Sequence, residues 1–207
     1  MFGKKTSIYI FLLIFLIPVL FAACENSTET KNQPPDNTAV FPNMVGDKWI
    51  YAVYDSLNNS TDTLTVEIVG TTTSINDKSL KIWLFKSRTF NDSMFVNAGK
   101  DTVYFYEDSY ANFVDHKLVF PLEVNNSWIN TDQQFDSTVV KGIESVTVPS
   151  DTYPDAYRLE RFWSSFNVYG YSVTWFVNNV GIVKMYRRIQ GFDNIRETRE
   201  LLSYTVQ

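Results

Sequence analysis

The sequence predicts an all-β protein, a curved antiparallel sheet of about ten to twelve strands arranged as a half-barrel, barrel or sandwich, with at most one short helix. Three observations lead there. The chain is rich in residues that fit a pleated surface, with 12 Tyr and 16 Phe beside many Val and Thr. Long windows of Ala, Leu, Glu and Lys, the mark of extended helices, are missing. Short apolar runs recur throughout, separated by clusters of Asn, Asp, Gly and Pro that turn the chain.

Two segments precede the sheet. Lys4 and Lys5 lead into an apolar run, Ile8 to Phe21, which closes on Ala22 and Ala23. A positive start, an apolar stretch of about 7–15 residues and a small-residue exit describe a secretory signal peptide, residues 1–23. Such a run falls short of the ~20 residues that span a bilayer, and Pro18 would break a spanning helix. Leu20-Phe21-Ala22-Ala23-Cys24 resembles the lipobox of bacterial lipoproteins, with Phe21 where Leu is usual. That resemblance implies cleavage before Cys24 and acylation of its thiol, anchoring the protein to a membrane of the bacterial cell envelope. The outer membrane, its periplasmic face and the cell surface all remain open as destinations. Residues 24–40 hold no apolar side chain between Glu25 and Thr38 and contain Pro34-Pro35. They cannot bury enough surface to offset chain entropy and read as a disordered tether.

A single β domain then occupies residues 41–207. Lys48 to Asp55 is apolar on both faces, as a buried strand is, and Leu57 to Thr61 turns it back. Thr63 to Val69 alternates, with Leu64, Val66 and Ile68 on one face. Further strands are expected at Leu80 to Arg88, Met94 to Val96 and Thr102 to Tyr106. Glu107 to His116 is the one place for a short helix or lid, because Tyr110, Phe113 and Val114 fall at helical spacing. Strands resume at Lys117 to Leu122 and Trp128 to Thr131, then at Thr138 to Val148, where Gly142 marks a bulge. Ala156 to Trp163, Gly170 to Val177, Gly181 to Ile189 and Arg196 to Val206 complete the series. Neighbouring strands joined by short turns favour a meander.

One phrase repeats. Phe41-Pro42-x-x-Val45-x-x-x-Trp49-Ile50 returns as Phe120-Pro121-x-x-Val124-x-x-x-Trp128-Ile129. It is either the trace of a duplicated half or a shared way of starting a strand: Pro sets the turn, Val packs beneath it and Trp plugs the core. The flanking sequences do not align, which favours the second.

Composition removes several function classes. The chain has 18 Lys and Arg against 23 Asp and Glu, and losing Lys4 and Lys5 with the leader takes the net charge to −7. Nucleic acid is therefore not an expected partner, since phosphate contacts need clustered cations. With one Cys, committed to the anchor, and one His, zinc sites of the usual kind and cysteine triads have no raw material, and no G-x-S-x-G accompanies His116 as a general base. His116 reads as surface decoration. Glu123, Glu144 and Glu160 lie in or beside strands, but their spacing selects no catalytic pair. The Asp- and Asn-rich stretches Asp55 to Asp62 and Asp132 to Asp136 lack the calcium-loop pattern and read as turns. No catalytic residue, cofactor or metal is expected, and the protein reads as a non-enzyme.

Aromatics are the remaining signal. Phe162, Trp163, Phe166, Tyr169, Tyr171, Trp175 and Phe176 crowd the stretch 162–176. Trp163, Tyr171 and Trp175 are the candidate ligand-facing residues, either lining a cavity for a hydrophobic or acyl ligand or forming a platform for a glycan or a protein. Ordinary core packing explains the same cluster. Asp-Ser/Thr-apolar triplets such as Asp62-Thr63-Leu64 and Asp92-Ser93-Met94 resemble O-glycosylation acceptors, and turn chemistry also produces them.

The stretch Phe41-Pro42-Asn43-Met44-Val45-Gly46-Asp47-Lys48-Trp49-Ile50-Tyr51 resembles the FPL-x-x-G-x-x-W-x-Y opening of a group of uncharacterised bacterial exported lipoproteins, with Asn43 in place of Leu. Glu144 to Tyr153, and Trp175-Phe176 leading to Val180-Gly181-Ile182-Val183-Lys184, resemble later phrases of that group. The resemblance implies a curved sheet related to lipoprotein-carrier half-barrels, whose concave face holds acyl chains. It supplies no activity and no site residues.

Overall fold

A computed structural model describes residues 41–131, 135–165, 167–191 and 194–207. The leader, Cys24, the tether, Asp132, Phe166 and part of the turn before the last strand lie outside the described residues. Twelve strands appear where the alternation places them: β1 (Lys48–Asp55), β2 (Ser60–Thr73), β3 (Ser79–Lys86), β4 (Asn91–Ala98), β5 (Thr102–Tyr106) and β6 (Val114–Val119). They continue as β7 (Ser127–Ile129), β8 (Asp136–Val148), β9 (Asp151–Ser165), β10 (Val168–Val177), β11 (Gly181–Gln190) and β12 (Ile195–Thr205). All pair antiparallel in one sheet, ordered β6-β5-β4-β3-β2-β1-β12-β11-β10-β9-β8-β7. It is an all-β, nearly closed barrel-shaped sheet, with no helix among the described residues.

A sheet of this width curls rather than staying flat, and bulges sharpen the bend. The register shifts at Val140/Gly142, as the glycine foretold, and also at Ile50/Tyr51, Ile68/Gly70, Phe105/Tyr106 and Trp175/Phe176. The expected helix at 107–116 is a turn instead. Asp108 Oδ1 accepts the Ala111 N–H at 3.0 Å, and Ala111 takes a left-handed φ of 55° that interrupts helical geometry. Tyr110 and Phe113 consequently sit exposed while Val114 starts β6.

Directly opposed residues on neighbouring strands share a face of the sheet, so the pairing register sorts inside from outside. At the end where Phe41 begins the domain, the inner face is apolar. Phe41 stacks on Trp83 (5.7 Å between ring centres) and on Phe176 (6.2 Å), with Phe120 against Phe176 at 5.7 Å. Trp49 and Trp83 stack at 5.1 Å. The polar atoms of these side chains find partners: Trp49 Nε1 donates to Val180 O, Trp83 Nε1 to Asn43 Oδ1 and Tyr51 Oη to Ile182 O. Burial pushes the Tyr51 hydroxyl pKa well up. Asp47, fully buried, accepts the N–H groups of Met44 and Gln207 and so ties the first and last residues of the domain together.

The repeated phrase converges on this end, Phe41 and Phe120 lying 6.4 Å apart. Its valines do not pack beneath the turn, however, because Val45 and Val124 are both exposed. Nor are the two copies equivalent: Trp49 is buried in an eight-residue strand, whereas Trp128 is only partly buried on the three-residue edge strand β7.

Moving along the inner face, apolar rows give way to charged ones. Thr138, Arg161, Ser172, Arg187, Glu197 and Asp55 stand in register across six strands, facing the far end of the barrel. The edges β6 and β7 share no ladder, and side chains bridge them. Trp128 Nε1 donates to Lys117 O at 2.9 Å, and the Lys117 N–H donates to Asn130 Oδ1 at 3.2 Å. Asn130 Nδ2 donates to Asp136 Oδ1 and Thr138 Oγ1. Two edges that would otherwise expose unpaired backbone are covered in this way.

Candidate functional site

A groove of about 440 Å³ lies at the polar end of β8 to β11. The pleat builds it. Ser137, Phe162, Tyr171 and Arg188 are directly opposed across four strands and so share the outer face. Phe162 and Tyr171 form its floor, their ring centres 4.7 Å apart and tilted by 37°. Tyr186 meets Tyr171 edge-on at 6.4 Å. Burial and the neighbouring Glu160 carboxylate raise the pKa of the Tyr171 hydroxyl, so it stays a neutral donor. Nearer the rim stand Phe135, Ser164, Tyr169 and Gln190. Phe162 is half exposed and Phe135 almost wholly so, leaving apolar surface free for a ligand.

The three sequence candidates do not form one platform. Tyr171 lines the groove from the outer face. Trp163 borders the same groove but belongs to the inner face, opposite Gly170 and Asp136, with the Arg161 guanidinium 4.9 Å from its ring. Its ring lies where a Gly170 side chain would be, since a Cβ there would come within 1.8 Å of it. Trp175 shares the outer face with Tyr171 but stands apart from the groove. Its Nε1 donates to Glu144 Oε1 at 2.6 Å and Lys184 Nζ lies 5.7 Å from its ring. Phe176, the last of the crowded aromatics, is core.

A second polar assembly lies inside the barrel at the same end. Arg161 donates to Asp136 Oδ1 and Oδ2 at 3.0 and 2.8 Å, and to the Asp115 carbonyl at 2.9 Å. Burial pushes the Asp115 carboxyl up, but the His116 hydrogen bond and charge together with Arg161 outweigh it and hold the pKa well below the usual carboxylate range. His116 is not surface decoration. Its ring stacks flat on Phe105 at 4.1 Å and its Nδ1 meets Asp115 Oδ2 at 2.5 Å. Beside them Glu197 pairs with Arg187 at 3.5 Å and with Arg199. Burial, chiefly, lowers the Arg187 pKa. Asp115 and Asp136 converge, yet each is matched to the same guanidinium, which suits a structural clasp better than a proton-transfer pair.

The other sequence carboxylates stay apart. Glu160 is paired with Arg158 at 2.7 Å, Glu144 is held by Trp175, and Glu123 lies in the β6–β7 loop beside Asn126. Asp62 and Asp92 accept the N–H of the Thr or Ser that follows them, but both lie within strands, β2 and β4, rather than in the turns expected of those triplets. No cluster of metal-ligating side chains occurs among the described residues.

No family model matches the chain, and no curated protein matches it. The solved structures similar to it include two bacterial proteins. One is described as a "putative lipoprotein from Parabacteroides distasonis ATCC 8503", with 13% identity and a TM-score of 0.45 over 80% of this chain and 97% of that one. The other is a "putative exported protein with YmcC-like fold" from Bacteroides fragilis NCTC 9343, with 12% identity and a TM-score of 0.43 over 80% of this chain and 98% of that one.

Sequence reasoning found the aromatic stretch but not which side each ring takes. It also missed the inner charges and the groove's Arg188. Arg and Glu along β9 and β12, and the Arg187-Arg188 pair on β11, look like a solvated face, and only the pairing register shows otherwise.

Proposed function

We propose that this chain is an exported, lipid-anchored binding module, without enzymatic chemistry of its own, that holds its ligand in the outer groove of β8 to β11. The anchor rests on Leu20 to Cys24 and its likeness to a lipobox. The groove reading rests on one observation above all: the Phe162–Tyr171 pair, exposed at the base of a concavity with Ser, Gln and Arg side chains around it. Mostly aromatic walls with a few placed polar groups are how small-ligand sites are generally built. A glycan or a peptide side chain fits that description better than an acyl chain does. The apolar part of the barrel, where an acyl chain would go, is occupied by the stacked rings of Phe41, Trp83, Phe105, Phe120 and Phe176.

Two measurements test the reading. Growth with labelled fatty acid is expected to label the wild-type protein and leave Cys24→Ser unlabelled and released from the membrane. Screening the full chain against immobilised glycans and envelope extracts is expected to yield binding that Tyr171→Ala and Phe162→Ala abolish. Binding that survives both substitutions overturns the groove assignment. A lipid that co-purifies stoichiometrically, with nothing bound in the groove, would return the acyl-carrier reading to first place.

A further inference from the structure

Resting on that groove, we infer that its ligand is an acidic saccharide, a sugar chain carrying carboxylate or sulfate groups. One row crosses the outer face at the groove: Ser137, Phe162, Tyr171, Arg188 and, on β12, Arg196. Arg188 and Arg196 are directly opposed on adjacent strands and both are exposed. Like charges in that position oppose strand pairing.

Several cations of neighbouring strands are matched. Lys184 faces Glu200 across the same two strands at 2.7 Å, Arg187 faces Glu197, and Lys48 faces Glu67 at 3.1 Å. Arg158 and Arg161 have carboxylates too. Among the described residues, Arg188 and Arg196 have no such partner, and no residue lining the groove is acidic. In a chain with a net charge of −5, two directly opposed, exposed guanidiniums without a carboxylate partner beside the aromatic rings of the groove favour an anion.

The chemistry then narrows. A guanidinium fork matches the two oxygens of a carboxylate or sulfate. The half-exposed Phe162 ring, backed by Tyr171, offers apolar surface for the C–H face of a pyranose ring, and Ser137, Ser164 and Gln190 offer partners for its hydroxyls. The carboxylate nearest Tyr171, Glu160, is neutralised by Arg158 at 2.7 Å, and charges beyond about 8 Å are largely screened at physiological ionic strength.

The test is affinity electrophoresis of the full chain in mild non-ionic detergent, through gels containing polygalacturonate, alginate, hyaluronate or heparin, with dextran and galactan as neutral controls. At least one acidic polymer is expected to retard the wild-type protein, less so as salt rises, and the neutral polymers are not. Arg188→Gln and Arg196→Gln are each expected to weaken retention about tenfold, the effect of losing one hydrogen bond to a charged group. Neither should lower the melting temperature, since each relieves a like-charge pair. Tyr171→Ala should abolish retention. Binding of neutral polymers that depends on Tyr171 but not on the arginines would overturn the acidic-ligand inference and leave the groove reading standing. Failure of every acidic polymer to bind would also overturn the inference. Acidic-polymer binding indifferent to Tyr171, Arg188 and Arg196 would overturn both.

Discussion

The two ends of the barrel are made by the same strands and held by different physics. At the plugged end Phe41, Trp49, Trp83 and Phe176 exclude water, each large side chain contributing roughly 1.5–3 kcal/mol through the apolar area it buries. At the polar end the inner rows carry Arg161, Arg187, Arg199, Asp136 and Glu197, and stability there depends on every charge keeping its partner. The first arrangement tolerates pH and salt. The second does not, and it lies beside the outer groove we assign to a ligand.

Breaking each end should therefore give a loss of similar size and different character. Phe176→Ala opens a cavity against Phe41 and Phe120 and is expected to cost about 3–5 kcal/mol by denaturant unfolding, nearly unchanged between pH 7 and pH 3. Arg161→Ala strands Asp136 and Asp115 and is also expected to cost about 3–5 kcal/mol at pH 7. Because the Asp115 pKa is depressed in the folded state, its stabilisation is complete above the unfolded value of about 4 and fades as pH falls below it towards the folded value. The cost of Arg161→Ala should shrink below pH 4, while that of Phe176→Ala persists. Equal pH dependence in the two variants would remove the distinction between the ends.

A smaller effect sharpens the comparison at the seam. Asn130→Ala removes the amide that links Lys117 to Asp136 and Thr138, and is expected to cost about 1–3 kcal/mol for the buried groups it leaves unmatched. Hydrogen exchange should then speed up at β6 and β7 first, with the plugged end unaffected.

Much of this was legible in the sequence. Leu64, Val66 and Ile68 alternate with polar residues, and Gly142 breaks a run, so β2 and the bulge in β8 could be placed from spacing alone. Tyr110, Phe113 and Val114 misled, because helical spacing in a short stretch carries little weight against one Asp side chain capping a turn. Nothing in the local pattern marks Arg161 and Arg187 as inward-facing. A charged residue between apolar ones reads as outward, and only in a closed sheet does a polar mouth allow the same alternation to point inward. For the site, the crowding of aromatics at 162–176 was visible, but the pleat divided Trp163 from Tyr171. Arg188 and Arg196 become a pair only through the β11–β12 register.

The sequence by itself determined the strands, their order of appearance, the turns between them and, through Cys24, the expectation of an anchor, because each depends on residues close together in the chain. The tertiary structure decided which faces meet. Curling twelve strands brought Phe41 onto Phe176, set Arg161 between Asp115 and Asp136, and aligned Phe162, Tyr171, Arg188 and Arg196 across the outer surface. Those contacts join residues far apart in sequence, and no local pattern encodes them. They depend on register and curvature, which belong to the sheet as a whole.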